Sequence, residues 1–152
     1  MKNIVNNLSF AFTTSADADA LVAIRIEAMR ESLERVGRFD ALRARERFLS
    51  TFEPLDTQFI LLNDEITGFV VIKTVGDFLI LDHLYIRPIF QRQGIGAFVL
   101  QELFAHAVVK NKPVRVGALK GSESNQFYSR HGFKLVEVAE FDNYYVWSHD
   151  LS

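Results

Sequence analysis

The stretch QRQGIGAFVL (Gln91–Leu100) places two glycines behind a basic residue and directly before an apolar run of helical character. The first N–H groups of a helix have no partner within the helix, and together with the helix dipole they attract anions. Because Gly94 and Gly96 carry no side chain, a pyrophosphate can approach the main chain closely here. The stretch therefore has two interpretations: a phosphate-binding loop, to which Arg92 adds a positive charge, or a tight strand-to-helix turn with close packing.

Two common nucleotide-binding loops do not fit this stretch. A Walker loop requires Gly-Lys-Ser or Gly-Lys-Thr, but Ala97 and Phe98 follow Gly96. The dinucleotide-binding fingerprint requires a third glycine at the position that Val99 occupies. The stretch therefore predicts neither a P-loop protein nor a Rossmann-type dinucleotide-binding protein.

Length and composition predict a single globular domain over residues 1–152, because 49% hydrophobic and 24% charged residues are ordinary for such a domain. A net charge of −2 gives no basic excess and disfavours a nucleic-acid partner. The chain has no cysteine, which excludes disulfides, thiolate metal sites and a cysteine nucleophile. The first residues lack a long apolar run, so we expect no signal peptide, no membrane span and a cytoplasmic protein.

Hydrophobic periodicity predicts the element order β-α-α-β-β-β-α-β-α-β-β. After a first strand, the pattern predicts a helix that is capped by Ser15 and ends near Gly37. A second helix is expected over Phe39–Phe52, with Leu42, Phe48, Leu49 and Phe52 on one face. Three strands follow, joined by short turns at "DE" (residues 64–65) and "GD" (residues 76–77). Strands joined by such short turns must be antiparallel neighbours.

The second half of the chain predicts a crossover and a closing pair of strands. A long helix is expected over Gln91–Asn111, and its buried stripe is expected to contain Ile95, Val99, Leu103, Ala107 and Val108. A strand, a short helix capped by Ser122 and stopped by Gly132, and two further strands complete the order. The β-α-β crossover through the long helix should be right-handed.

The stretch LDHLYIRPIFQRQGIGAFVL, followed by FYSRHGF, resembles the GNAT acetyltransferase superfamily. The acetyl-CoA motif of that family, [QR]-x-x-G-x-[GA] after a strand ending in Pro, is filled here by Gln91, Gly94 and Gly96. Its second motif, a helix with a Tyr followed by Gly-Phe, is filled by Tyr128, Gly132 and Phe133. The resemblance follows the element order over residues 8–149 and is specific over 79–133. It implies an α/β fold (mixed α+β): a central mixed, mostly antiparallel sheet of about seven strands with helices on both faces.

The resemblance also implies the contacts of an acetyl-CoA co-substrate. The coenzyme A pyrophosphate would be held by the main-chain N–H groups of Gln91, Arg92, Gln93, Gly94, Ile95 and Gly96. The strand edge at Leu84, Tyr85 and Ile86 would pair with the pantetheine arm like an added strand. The N–H group of Leu84 would polarise the thioester carbonyl. Tyr128 would be the general acid that protonates the leaving thiolate, although a core tyrosine beside Phe127 is the alternative.

Two positions depart from the family pattern. In the subfamily that the chain resembles most, an Asn stands six residues before the Tyr, where this sequence has Ser122. Ser122 or the nearby Asn125 is therefore the expected pantetheine contact. The general base is a Glu in several members, but Ile80 occupies that position here, so we expect Asp82, directly or through water, to accept the proton. The alternatives are that Asp82 only forms a salt bridge and that solvent is the base.

These features predict an acetyl-CoA-dependent N-acetyltransferase that moves an acetyl group to a primary amine of a small molecule or peptide. Attack is expected to be direct, because no cysteine is present to form an acyl-enzyme. The alternatives are a non-catalytic acyl-CoA-binding regulatory module on the same fold and an unrelated interaction domain in which the glycines only pack.

At the acceptor end, Glu27 and Glu31 share a helix face that attracts an amine or is simply solvated, and FDNYYVW (Phe141–Trp147) supplies aromatic walls or packing. No pair of histidines has ligand spacing, so we expect no metal. A homodimer is possible, since such domains commonly dimerise.

Overall fold

A computed structural model describes residues 7–35, 37 and 39–149 of the chain. The strands of the described residues are Leu8–Phe12 (β1), Thr57–Leu62 (β2), Glu65–Val75 (β3), Phe78–Ile86 (β4), Val114–Leu119 (β5), Lys134–Val138 (β6) and Asp142–Trp147 (β7). The α-helices are Ala18–Arg35 (α1), Ala41–Thr51 (α2), Ile95–Lys110 (α3) and Ser124–Arg130 (α4). The strands form one seven-stranded sheet in the order β1-β2-β3-β4-β5-β7-β6. The pairing of β4 with β5 is parallel and that of β5 with β7 antiparallel, so the predicted mixed sheet is confirmed.

The described residues divide into two compact units, and the residues of β3, β4 and α3 are divided between them. One unit takes the described residues of Met1–Val71 and of His83–Gly96, and it contains β1, β2, α1 and α2. The other takes those of Ile72–Asp82 and of Ala97–Ser152, and it contains β5, β6, β7 and α4. The single domain expected over residues 1–152 stays a prediction.

The core of the first unit packs α1 and α2 against β2 and β3. Its two members on β3 alternate along the strand and so share one face. The buried members are Leu21, Val22 and Ile24 of α1, Phe48 of α2, Phe59 of β2, and Phe69 and Val71 of β3. The Phe48 and Phe69 rings meet edge to face with their centroids 5.5 Å apart. Each such buried ring contributes about 1.5–3 kcal/mol of transfer free energy. Together these contacts hold α2 against β3.

In the second unit, β7 pairs with both β5 and β6. Its Trp147 stacks on Phe104 of α3 with ring centroids 4.0 Å apart, and Phe104 also packs on Phe133, which precedes β6. The burial of apolar ring surface stabilises this unit.

Several local predictions are wrong by one residue or more. The cap before α1 is Thr14, not Ser15: its Oγ1 accepts the N–H of Ala16, and its own N–H donates to the Asp17 carboxylate at 2.8 Å. The β2–β3 turn is Asn63–Asp64, not residues 64–65, because both turn residues need positive φ, which Asn and Asp accept more readily than Glu.

Helix α3 begins at Ile95, not at Gln91. Arg92 and Gly94 have φ angles of 64° and 83°, which a right-handed helix excludes, so the chain turns before the helix starts. Leu42 was expected on the face of α2 that carries Phe48, and Val108 on the buried stripe of α3, but their exposed fractions are 65% and 42%. Helix α2 buries Ala44 and Phe48, and the expected Leu49 and Phe52 pack against the core. Among the described residues, no helix is long and apolar enough to cross a membrane.

Candidate functional site

The last residues of β4 continue past the part of that strand that pairs with β5. The parallel register of β4 with β5 runs over Leu79–Leu81 and Val114–Val116, whereas β4 extends to Ile86. The residues expected to contact the pantetheine arm, Leu84, Tyr85 and Ile86, lie in this extension. An extended ligand that adds to a sheet needs such a stretch of strand.

A glycine that the sequence analysis did not single out fixes the position of this extension. A Cβ added at Gly68 of β3 would lie 2.0 Å from the Tyr85 carbonyl oxygen and 3.0 Å from the Ile86 Cα. Only glycine therefore allows the two strands to approach here. Beside it, the Arg87 N–H donates to the Thr67 carbonyl oxygen at 2.7 Å. An isolated glycine inside the strand pattern ITGFVVIKTV was the available signal, because such a glycine often marks a close backbone approach.

Side chains alternate across the extension of β4. His83 and Tyr85 face the core of the first unit, where the His83 ring lies 5.4 Å from Phe48 and the Tyr85 ring 5.5 Å from Phe69. His83 Nδ1 and the Tyr85 hydroxyl are 3.3 Å apart. By alternation Asp82 and Leu84 share the opposite face, and Asp82 is exposed. The alternation of the strand therefore places Asp82 and His83 on opposite faces.

The loop after β4 is held by its own hydrogen bonds. The Phe90 N–H donates to the Arg87 carbonyl oxygen at 2.8 Å, and the Gln91 N–H donates to the Pro88 carbonyl oxygen at 3.2 Å. The Gln91 side chain turns back and donates from Nε2 to the Ile86 carbonyl oxygen at 2.9 Å. This corrects the expectation for Gln91, because its N–H already has an acceptor and its amide group ties the loop to the end of β4.

The next N–H groups of the loop remain open. Among the described residues, none accepts a hydrogen bond from the main-chain N–H of Arg92, Gln93 or Gly94, and all three residues are exposed. Ile95 and Gly96 follow as the first residues of α3, where N–H groups have no acceptor within the helix. Successive main-chain donors at a helix start form a favourable site for an anion.

Gly94 separates the two interpretations of the glycine stretch. An added Cβ would meet no atom within 4 Å, so close packing does not require glycine at this position. Its φ of +83° does require it, since residues with a Cβ rarely adopt that region. At Gly94 the backbone conformation that leaves the donors open is therefore the reason for glycine.

Helix α4 carries the tyrosine of the second motif. Tyr128 is 6% exposed, and its ring lies 5.4 Å from that of Phe127, 5.3 Å from Phe133 and 6.4 Å from Tyr145. Such burial fits both readings of Tyr128, a core ring and a phenol held rigidly by its neighbours.

Ser122 is not the cap that its sequence suggested. Helix α4 begins at Ser124, and the residue before it, Glu123, makes no capping hydrogen bond with its side chain. The buried Ser122 instead accepts from Asn125 at both its carbonyl oxygen and its Oγ, at 3.0 and 3.3 Å. The two residues expected to contact pantetheine therefore bind each other.

The acidic residues at the acceptor end have partners. Glu27 of α1 accepts from Arg87, which follows β4, at 3.3 Å, and Glu31 accepts from Arg35 at the same distance. Both pairs are partly exposed and each contributes little stability. This pairing favours the reading of Glu27 and Glu31 as a solvated face over that of an amine-attracting pair.

Residues 55–135 match the family model of the acetyltransferase (GNAT) domain. This match covers more than half of the chain, and the glycine loop and the tyrosine helix both lie within it. The chain therefore belongs to the GNAT acetyltransferase family, as the two motifs predicted. No curated protein matches the sequence.

Solved structures with the same fold include several acetyltransferases. The PaiA N-acetyltransferase of Thermoplasma acidophilum, in complex with coenzyme A, is 16% identical, with a TM-score of 0.73 over 93% of this chain and 99% of its own. A GNAT family acetyltransferase of Elizabethkingia anophelis with acetyl-CoA bound is 17% identical, with a TM-score of 0.65 over 94% and 99%. The ribosomal-protein-S18-alanine N-acetyltransferase of Escherichia coli is 14% identical, with a TM-score of 0.68 over 91% and 90%. At these identities the likeness shows the fold alone.

Proposed function

We propose that this protein is an acetyl-CoA-dependent N-acetyltransferase that moves an acetyl group to a primary amine of a small molecule or peptide. One observation carries the proposal: the main-chain N–H groups of the exposed residues Arg92, Gln93 and Gly94 have no acceptor among the described residues, and these residues lie within the family motif. Similar folds hold coenzyme A in the Thermoplasma protein and acetyl-CoA in the Elizabethkingia protein. The Escherichia coli neighbour acts on an alanine of a ribosomal protein, which supports an amine acceptor.

In this proposal the co-substrate lies along β4 and ends at the start of α3. The diphosphate accepts hydrogen bonds from the main chain of Arg92 through Gly96, and the Arg92 side chain adds a positive charge. The pantetheine arm pairs with the strand at Leu84, Tyr85 and Ile86. The Gln91 side chain supports this arrangement indirectly, because it joins the loop to the last carbonyl of β4.

The reaction is a direct acyl transfer. The neutral amine attacks the thioester carbonyl carbon, the carbon–sulfur bond breaks, and an amide and a coenzyme A thiolate form. The Leu84 N–H stabilises the developing oxyanion. Asp82, through water, takes the proton that the amine loses, and Tyr128 gives a proton to the thiolate. Holding the two reactants together supplies much of the rate.

A non-catalytic acyl-CoA-binding module is the second candidate, and one observation favours it. Ile80 occupies the position at which several family members have a general-base Glu, and the exposed Asp82 is the nearest carboxylate along the strand. A module of this kind needs the diphosphate loop but neither a base nor an acid.

The deciding experiment combines binding with turnover. Titration calorimetry measures the affinity for coenzyme A and acetyl-CoA, and mass spectrometry detects acetylated products from a panel of amines and peptide N-termini. Binding together with acetyl transfer supports the enzyme. Tight binding without transfer to any acceptor supports the module, and no binding at millimolar coenzyme A would refute both.

A further inference from the structure

The side chain of Asn125 joins α4 to β5, to β7 and to the connection before the helix. Its Nδ2 donates to the carbonyl oxygens of Leu119 and Ser122, at 2.9 and 3.0 Å. Its Oδ1 accepts from the Tyr145 hydroxyl at 2.8 Å and from Asn143 Nδ2 at 3.0 Å. The carbonyl partners can only accept, so the orientation of the amide is determined by its neighbours.

This network uses the whole hydrogen-bonding capacity of the amide. An asparagine side chain has two N–H donors and an oxygen with two lone pairs. Two carbonyls take the donors, and a hydroxyl and a second amide fill the oxygen. A pantetheine amide would have to displace one of these protein partners. The hydrogen-bonding groups of the Asn125 side chain are therefore satisfied within the protein and not available to a ligand.

The network bears directly on Tyr128. Asn125 and Tyr128 are three positions apart on α4 and so lie on the same side of the helix. Tyr145 contacts both, since its hydroxyl donates to Asn125 and its ring packs 6.4 Å from the Tyr128 ring. Helix α4 has seven residues and no side-chain cap, so its own hydrogen bonds hold it weakly. The bonds of Asn125 supply the missing anchor.

We propose that Asn125 is a positioning residue that fixes the Tyr128 hydroxyl relative to β5 and β7, and that it does not bind the co-substrate. The proposal rests on the proposed function, in which Tyr128 protonates the thiolate. A double-mutant cycle on kcat tests it, with Asn125→Ala made in the wild type and in Tyr128→Phe. We expect kcat to fall roughly ten- to a hundredfold in the wild type, because a misplacement of about 1 Å can cost about a hundredfold.

In the Tyr128→Phe background, where residual turnover is followed at high enzyme concentration, Asn125→Ala should change kcat by less than about twofold, since coupled residues are not additive. The dissociation constant of coenzyme A should stay the same in both backgrounds. Equal losses of kcat in both backgrounds would reveal a purely structural role and overturn the proposal. A weaker affinity for coenzyme A in both backgrounds would identify Asn125 as a ligand and also overturn it.

Two further variants serve as a replacement for Asn125→Ala and as a control on the same helix. Tyr145→Phe keeps the ring and removes only the hydroxyl that donates to Asn125, so it repeats the cycle if Asn125→Ala fails to fold. Gln126→Ala removes an exposed amide from the next position of the same helix, and it should leave kcat unchanged. A wild-type protein that transfers acetyl to no amine would refute the proposed function itself, which distinguishes that failure from the failure of this inference.

Discussion

Gly94 is the single residue on which the binding proposal depends most. Its left-handed conformation keeps neighbouring N–H groups open, and an added side chain would point into free space. We expect Gly94→Asp to weaken coenzyme A binding roughly ten- to a hundredfold, because it strains the loop and places a negative charge beside the diphosphate, where a hydrogen bond to a charged group contributes about 1.5–3 kcal/mol. Titration calorimetry measures this change.

Gly76 provides the matched control for that variant. It also has positive φ, +57°, and free space around an added Cβ, but it lies in the β3–β4 turn. Gly76→Asp should lower the stability by a similar small amount and leave the affinity for coenzyme A unchanged. If Gly94→Asp binds as tightly as Gly76→Asp, the diphosphate does not bind at the start of α3.

The Tyr128 hydroxyl distinguishes the two interpretations of this residue, a general acid and a core ring. Tyr128→Phe keeps the buried ring and removes the proposed acid, so we expect kcat to fall roughly a hundredfold while the affinity for coenzyme A stays the same. Steady-state kinetics with an accepted amine, together with calorimetry, measures both quantities. Gln126→Ala, which removes an exposed amide from the same helix, should have no effect on either quantity. Unchanged turnover in Tyr128→Phe would leave this residue as a core ring only.

Among the elements, β4 depends on β3, because Gly68 allows the backbones of the two strands to approach each other closely. Gly68→Ala would put a Cβ 2.0 Å from the Tyr85 carbonyl oxygen, and a backbone atom cannot move away as a side chain can. We expect a loss of about 1–3 kcal/mol in the free energy of unfolding, typical of overpacking, and weaker binding of acetyl-CoA because Tyr85 and Ile86 shift. Urea denaturation and calorimetry measure the two effects.

A second strand glycine tests whether this effect is local. A Cβ at Gly117 of β5 would lie 2.9 Å from the Tyr144 ring, which can rotate away. Gly117→Ala should therefore cost less stability than Gly68→Ala and leave the affinity unchanged. Equal effects of the two substitutions on affinity would contradict a specific role of Gly68 at the end of β4.

At the scale of the whole molecule, the sequence predicted the element order, the family and the mixed sheet. Those features depend on long hydrophobic patterns and on two motifs. It failed where a single side chain decides between neighbouring options: Thr14 and Ser15 are both good caps, and only the bond between Thr14 and Asp17 distinguishes them. It also missed contacts between residues distant in the chain, such as Gly68 with Tyr85 and Asn125 with Tyr145, because no local pattern encodes them.

Binding of the co-substrate should stabilise the molecule as a whole. A ligand at 100 times its dissociation constant adds about 2.7 kcal/mol to the free energy of unfolding when it binds only the native state. Thermal denaturation with coenzyme A should therefore show a rise in the midpoint that depends on the concentration of coenzyme A. Pantetheine, which lacks the diphosphate, should give a much smaller rise, and Gly94→Asp should lose most of the response to coenzyme A. An equal response to pantetheine and coenzyme A would mean that the loop after β4 contributes nothing to binding, and the proposal for Arg92 through Gly96 would have to be abandoned.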